Sequence, residues 1–259
     1  MTIDTDFHSH VSRSSARAMV SEARERGLRV LGLSEHVFQM REVRPLLTHM
    51  PLEGPEMALV DYIEAVQEAG QALQFDVRLG LEIDFIPGKI EAVHELLQGY
   101  PWDFLIGSVH EIDGRLLENE EGWGGPPEAE RAWHRYMELL RQAVGSGLFS
   151  VVSHPVRLFV ENPHLPANID EELEQLAAEA TRCDVALEIN GFDVATYPQV
   201  VRRLLRACAL QGTPVSVGSD AHYPSSLANS HEASAHLLRE AGIRRVRIWR
   251  AMNPEEYRI

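Results

Sequence analysis

The sequence predicts a single-domain α/β barrel, a parallel sheet closed on itself with its helices outside. Three observations lead there. Short apolar runs alternate with stretches of helical periodicity along the whole 259-residue chain. The count of seven or eight strand–helix units favours closure over an open sheet. No linker, low-complexity tract or compositional shift divides the chain, and α/β barrels often fill this length as one unit.

The elements follow in order. Residues 6–10 read as extended, so side chains two apart share a face. Residues 14–26 read as a helix, with Ala16, Met19, Val20 and Ala23 at helical spacing and Gly27 as its stop. A strand is expected over 28–33, delivering Ser34, Glu35 and His36. Residues 38–55, interrupted by Pro45, Pro51, Gly54 and Pro55, read as an irregular loop and a lid. Helix 56–73 and strand 75–81 come next, the strand leading into Glu82 and Asp84. Helix 89–97, strand 104–109 ending at His110, a polar loop over 111–127 and helix 128–144 follow. Strand 149–152 delivers Ser153, His154 and Pro155, and is followed by helix 169–181. Strand 185–189 contains Glu188 and precedes Asn190; residues 191–197 read as the loop after it, and 199–210 as a helix. Strand 214–217 leads into Gly218, Ser219, Asp220, Ala221 and His222. A helix over about 227–241 and a last strand over 246–249 end the chain.

Charge and cysteine content narrow the function. A formal net charge of −15 disfavours broad attraction to nucleic acid or anionic membrane, so an anionic substrate needs local cations, which bound metals would supply. The two cysteines, Cys183 and Cys208, form neither a disulfide framework nor a thiolate metal cluster, which fits a reducing cytosol. The N-terminus lacks the basic flank and apolar core of a signal peptide, and no apolar run approaches membrane-spanning length. A soluble cytoplasmic protein of open oligomeric state is expected.

The polar strings carry the chemistry. His8 and His10, His36, Glu82, His110, His154, and Asp220 with His222 all fall at C-terminal ends of expected strands. In a β/α barrel those ends converge on one mouth, where active sites are built. A single histidine after a strand is commonly a hydrogen-bonded loop residue; six strand ends that all supply His, Asp or Glu point to a site. The nitrogen and oxygen donors, without thiolate, suit Zn, Mn or Fe in a hydrolytic role. Arg157, Arg13 and Arg17, with Lys89 behind them, are candidates for binding phosphate. Glu35, Asp84, Glu111, Glu188 and Asn190 stand where partners orienting ligand imidazoles are expected. His49, His94, His134, His164, His231 and His236, and the four tryptophans, read as structural.

The strings Asp6-Phe7-His8-Ser9-His10, Ser34-Glu35-His36, Gly80-Leu81-Glu82-Ile83-Asp84-Phe85, Ile106-Gly107-Ser108-Val109-His110, Ser153-His154-Pro155 and Gly218-Ser219-Asp220-Ala221-His222 resemble the ordered motifs of the PHP (polymerase and histidinol phosphatase) family. The segment 100–110 is most similar to its stand-alone histidinol-phosphatase branch. The resemblance implies a distorted (β/α)7 TIM-like barrel with two or three divalent metals at its mouth. It implies one ion on His8, His10, Glu82 and Asp220, and a second sharing Glu82 and adding His110 and His154. A third would use His36, His222 and a further histidine soon after the first motif. Residues 11–20 contain no histidine, so the sequence departs from the family there. The loop 191–197 likewise lacks the arginine usual in that branch.

The implied reaction is hydrolysis of a small phosphomonoester such as L-histidinol phosphate. A metal-bound hydroxide attacks phosphorus, and His222 or His36 protonates the leaving alkoxide. Three alternatives remain open at this level. They are a nucleotide or oligonucleotide-end phosphoesterase, an amidohydrolase, and a metal-binding domain without activity.

Overall fold

The computed structural model describes residues 2–118 and 122–259. In chain order its elements are β1 (Thr5–Asp6), α1 (Ala16–Glu25), β2 (Val30–His36), α2 (Leu59–Leu73), β3 (Asp76–Asp84), α3 (Ile90–Leu97) and β4 (Phe104–Ser108). A small hairpin, β5 (Glu111–Ile112) and β6 (Arg115–Leu116), precedes α4 (Pro126–Gly145), β7 (Val151–Val152) and α5 (Ile169–Cys183). The chain continues through β8 (Ala186–Asn190), α6 (Gly191–Thr196), α7 (Pro198–Gln211), β9 (Val215–Gly218) and α8 (His231–Glu240), and ends in β10 (Arg245–Arg250) and β11 (Asn253–Arg258).

Seven strands pair in parallel in the order β1-β2-β3-β4-β7-β8-β9. Closure between the first and last is made just beyond them. Phe7 donates to the carbonyl of Val217 at 3.0 Å, Asp220 N–H to that of His8 at 2.8 Å and His10 N–H to that of Ala221 at 2.9 Å. The expected barrel is therefore a seven-stranded one. The apolar run near the C-terminus does not join it: β10 pairs antiparallel with β11. It packs Trp249 against Phe7 and Phe104, ring centroids 5.9 and 6.2 Å away, and so contributes to a small apolar cluster with Val30, Ile106, Val151 and Ala186. Gly80 makes room for that cluster, because a Cβ there would lie 2.3 Å from the Phe104 ring.

The helices form as their patterns require. Ser15 caps α1, its hydroxyl accepting from Ala18 N–H, and α1 buries Ala16, Met19, Val20 and Ala23. Residues 191–197, expected as loop, instead hold α6, because the Asn190 side chain caps the N–H groups of Phe192 and Asp193. The expected lid at 38–55 is packed rather than loose. It buries Val43, Leu47 and Met50, and Arg44 donates to the carbonyls of Leu47, Thr48 and Met50. Among the described residues no helix is long and apolar enough to cross a membrane.

Candidate metal centre

Parallel pairing brings the strand ends to one place, and the β2–β3 register sets His36 directly beside Glu82. Glu82 is the centre of the group. Its Oε1 lies 3.2 Å from His154 Nε2, 3.3 Å from His8 Nε2 and 3.4 Å from His110 Nε2. Its Oε2 lies 2.7 Å from His36 Nδ1 and 3.8 Å from His10 Nε2. Asp220 Oδ1 stands 3.2 Å from His10 Nε2 and 3.7 Å from His8 Nε2. Five imidazoles thus face one buried carboxylate.

These spacings fit the ligand set of bound ions. Ligands bound tetrahedrally at about 2.0–2.1 Å stand about 3.4 Å apart, and the four contacts joining His8 and His10 to Glu82 and Asp220 span 3.2–3.8 Å. His8 Nε2, His36 Nδ1 and Glu82 Oε2 are also buried without a hydrogen-bond partner, although the last two are 2.7 Å apart. Converging lone pairs left unpaired in a buried site are what a cation satisfies.

Three of the five inward rings have a carboxylate on their opposite side. His8 Nδ1 donates to Glu188 at 2.8 Å and His110 Nδ1 to Asp84 at 2.7 Å. His10 Nδ1 stands 3.4 Å from Glu35, whose other oxygen accepts from the N–H groups of Val11 and Ser12 at 2.7 and 2.6 Å. Asn190 bridges Glu188 and Asp220, donating at 3.1 and 3.3 Å. Glu111, expected in the same role, pairs instead with His49 at 2.5 Å. Asp6 is not at the centre: its carboxylate accepts from the N–H groups of Ser219 and Ala228 and fastens the closing loop to β1. His231 is structural as expected, hydrogen-bonded to the Thr5 carbonyl.

Two of the converging residues hold strained backbone: His154 at φ 30° and Asp220 at φ 59°. Tertiary bonds keep them there. His154 donates its N–H to Glu188 at 2.9 Å and accepts from the Tyr136 hydroxyl at 2.9 Å. Gly218 permits the closest approach, since a Cβ there would lie 2.2 Å from His8 Cβ and 2.5 Å from Glu188 Oε1.

The electrostatics are those of a site that exchanges protons for cations. Burial alone would lower the His8 imidazole, yet Glu188, Glu82 and Asp220 raise it well above its ordinary value. His10 is raised against burial to about 9, by Asp220 and Glu35. Burial would raise Glu82, but the charges of His8, His36 and His110 hold it well below the usual carboxylate range. His154 goes the other way, lowered by burial and by the Arg157 charge.

A cavity of about 220 Å³ opens onto the centre, lined by His36, Glu53, His110, Arg157, Asp220 and His222 with Phe38, Met50 and Leu117 among its apolar walls. Of the three candidate arginines only Arg157 lines it. Its Nε donates to Asp193 at 2.8 Å and its Nη2 to Asn190 and Asp220 at 3.0 and 2.8 Å, while Nη1 takes no part in these bonds. Arg13 stands near the rim, 3.6 Å from Glu53, and Arg17 is exposed on α1. Lys89 approaches His49, not the centre. A larger cleft of about 830 Å³, between α3, α4 and α5, holds none of the expected ligands. The sequence reading missed Glu53 and Asp193; neither lies in a string that carries a ligand pattern.

Known proteins are similar to this chain in sequence and fold. The family model described as PHP domain matches residues 4–191. A probable histidinol-phosphatase of Deinococcus radiodurans is 32% identical over 197 residues, covering 73% of this chain and 74% of its own. A probable phosphatase of Syntrophotalea carbinolica is 26% identical, covering 93% and 88%. The crystal structure of a histidinol phosphate phosphatase from Lactococcus lactis, complexed with zinc, L-histidinol and phosphate, superposes with a TM-score of 0.80 at 21% identity, covering 97% of this chain and 98% of that one.

Proposed function

The chain belongs to the PHP-domain family, and on that premise we propose that it is a metal-dependent phosphatase of small phosphomonoesters, with L-histidinol phosphate as the first substrate to test. The observation that carries the reading is the ring of five imidazoles around Glu82, at ligand-to-ligand spacings, beneath a cavity that also holds Arg157. His8, His10, Glu82 and Asp220 would hold one divalent ion, and Glu82, His110 and His154 a second. Bound there, Zn, Mn or Fe would supply Lewis-acid charge and an acidified water.

The chain's own groups do the rest. Glu188, Asp84 and Glu35 fix the rings so that the correct nitrogens face inward. Arg157 offers Nη1 to a phosphoryl oxygen while Asp193 and Asn190 hold the guanidinium still. His36 and His222 stand outside both of these ligand sets and line the cavity. Phe38, Met50 and Leu117 give the leaving group an apolar wall, and Glu118 gives it negative charge. A small cationic alcohol suits those walls better than a polyanion, which weighs against nucleotide or oligonucleotide substrates. The acidic chain and its free thiols fit a cytoplasmic enzyme.

The test is phosphate release by protein reconstituted with Mn or Zn, from histidinol phosphate beside a panel of nucleotides and sugar phosphates. Turnover concentrated on histidinol phosphate is expected. Turnover of nucleotides alone would overturn the substrate, and no turnover with any metal the reaction class. Glu82→Ala should abolish activity while the fold is retained.

A further inference from the structure

Resting on that metal-dependent reading, we propose that Glu53, on the loop that covers the mouth, is a ligand of a third divalent cation together with His36 and His222. It stands in for the histidine that residues 11–20 do not supply. The geometry begins with two nitrogens. His36 turns Nδ1 to Glu82 at 2.7 Å, which leaves Nε2 facing the other way, 3.7 Å from Glu53 Oε1. His222 donates Nδ1–H to the Asp220 carbonyl at 3.0 Å, which turns Nε2 toward Glu53. That nitrogen lies 2.8 Å from Glu53 Oε2, a buried atom whose closest neighbour of positive character is this ring.

A positive charge must sit between this nitrogen and this carboxylate: a proton in the metal-free chain, a cation when one is bound. The pair of separations, 2.8 and 3.7 Å, brackets the about 3.4 Å edge of a tetrahedral ligand set. Arg13 is a poor substitute for that charge: its Nε is 3.6 Å from Glu53 and its side chain is 40% exposed.

The loop is built to present this carboxylate. With its amide turned to match its donors, the buried Gln39 side-chain oxygen accepts from the N–H groups of Glu53 and Gly54 at 3.0 and 2.9 Å. Gly54 lets the turn lie against the segment after the first motif, since a Cβ there would be 2.5 Å from the Ser12 carbonyl oxygen. The carboxylate therefore arrives beside the stretch where the family's histidine is missing, carried by a different part of the chain. His36 and His222 are thereby cation holders rather than proton donors, and the third ion ties the loop over the cavity.

The experiment counts ions without relying on turnover. Metal-free wild type, Glu53→Gln and Glu118→Gln are titrated with Zn and with Mn, and bound metal is counted by inductively coupled plasma mass spectrometry at defined free metal. Circular dichroism checks the fold. Wild type and Glu118→Gln are expected to hold three ions per chain, and Glu53→Gln two. Loss of a ligand should weaken the third ion by more than the about 10–100-fold that follows loss of a residue merely orienting one. Three ions held by Glu53→Gln at unchanged affinity would overturn the proposal. So would two ions in both wild type and Glu53→Gln, an outcome that leaves the two-ion phosphatase reading intact. Loss of the ion in both variants would mark a general charge effect and overturn it too. No ion in the wild type would remove the metal-dependent reading along with it.

Discussion

Replacing Glu188 by glutamine isolates what a residue that touches no ion contributes to holding one. One oxygen of Glu188 accepts from His8 Nδ1 at 2.8 Å; the other accepts from the His154 N–H at 2.9 Å and the Asn190 amide at 3.1 Å. Glutamine has one acceptor to set against these three donors. If its oxygen faces His8, the amide N–H₂ confronts two buried donors, each left unpaired at about 1–3 kcal/mol. If its oxygen faces His154 and Asn190, the amide donates to His8 Nδ1. The His8 proton then moves to Nε2, the nitrogen that stands 3.3 Å from Glu82, and the lone pair needed for a cation is lost. Either outcome predicts metal affinity lowered by about 10–100-fold, equivalent to about 1.4–2.7 kcal/mol. Competition against a chromophoric chelator at fixed pH measures it, and circular dichroism confirms an unchanged fold. Affinity within twofold of wild type would refute the argument that this carboxylate sets the His8 tautomer.

Other perturbations test other links. Gly218→Ala forces a methyl group against His8 and Glu188, so it should cost about 1–3 kcal/mol of stability and weaken metal binding, read by thermal unfolding with and without metal. Arg157→Lys keeps a positive charge but loses the fork that spans Asp193, Asn190 and phosphate; inhibition by inorganic phosphate should weaken about tenfold, the worth of about 1.5 kcal/mol for one charge-assisted bond. Metal binding must expel the protons of raised imidazoles, so affinity should rise with pH until it passes about 9, the value for His10. Calorimetry in buffers of different ionisation heat counts the protons released, and a count of zero at pH 7.5 would contradict the ligand set. In the metal-free chain the signs separate. His10 adds stability that is complete below its ordinary 6.5 and is lost as pH rises through about 9. Glu35, held by His10 and backbone N–H groups at about 2 despite burial, adds stability above 4.5 that is lost as pH falls toward 2. Melting temperature should therefore peak between about pH 5 and 6.5 and fall on both sides.

What the sequence made legible is what depends on short-range pattern. Period-two alternation put His8 and His10 on one face, and both reach Asp220 and Glu82. Strand ends could be found from apolar runs, and parallel pairing then brings them together whatever their separation in the chain. Partners such as Glu188 and Asp84 were visible because they lie on the same strands as the site. Three features were not legible, each for the same physical reason. Asp6 sits in the richest string of ligand types, but its carboxylate is taken by the N–H groups of Ser219 and Ala228, more than two hundred residues away. The last apolar run looked like one more barrel strand, yet Trp249 had Phe7 and Phe104 to cover, and its pairing partner is a stretch, Asn253–Arg258, with too little apolar content to read as a strand. Glu53 lies in a segment with no periodicity at all. Its position is set by the Gln39 amide and by the absence of a side chain at Gly54, contacts that exist only after the loop has packed against Ser12. A motif reports residues that local geometry already aligns. A ligand delivered by a loop carries no motif, so a family site that lacks a residue in sequence has to be judged by which side chain the fold brings to the gap.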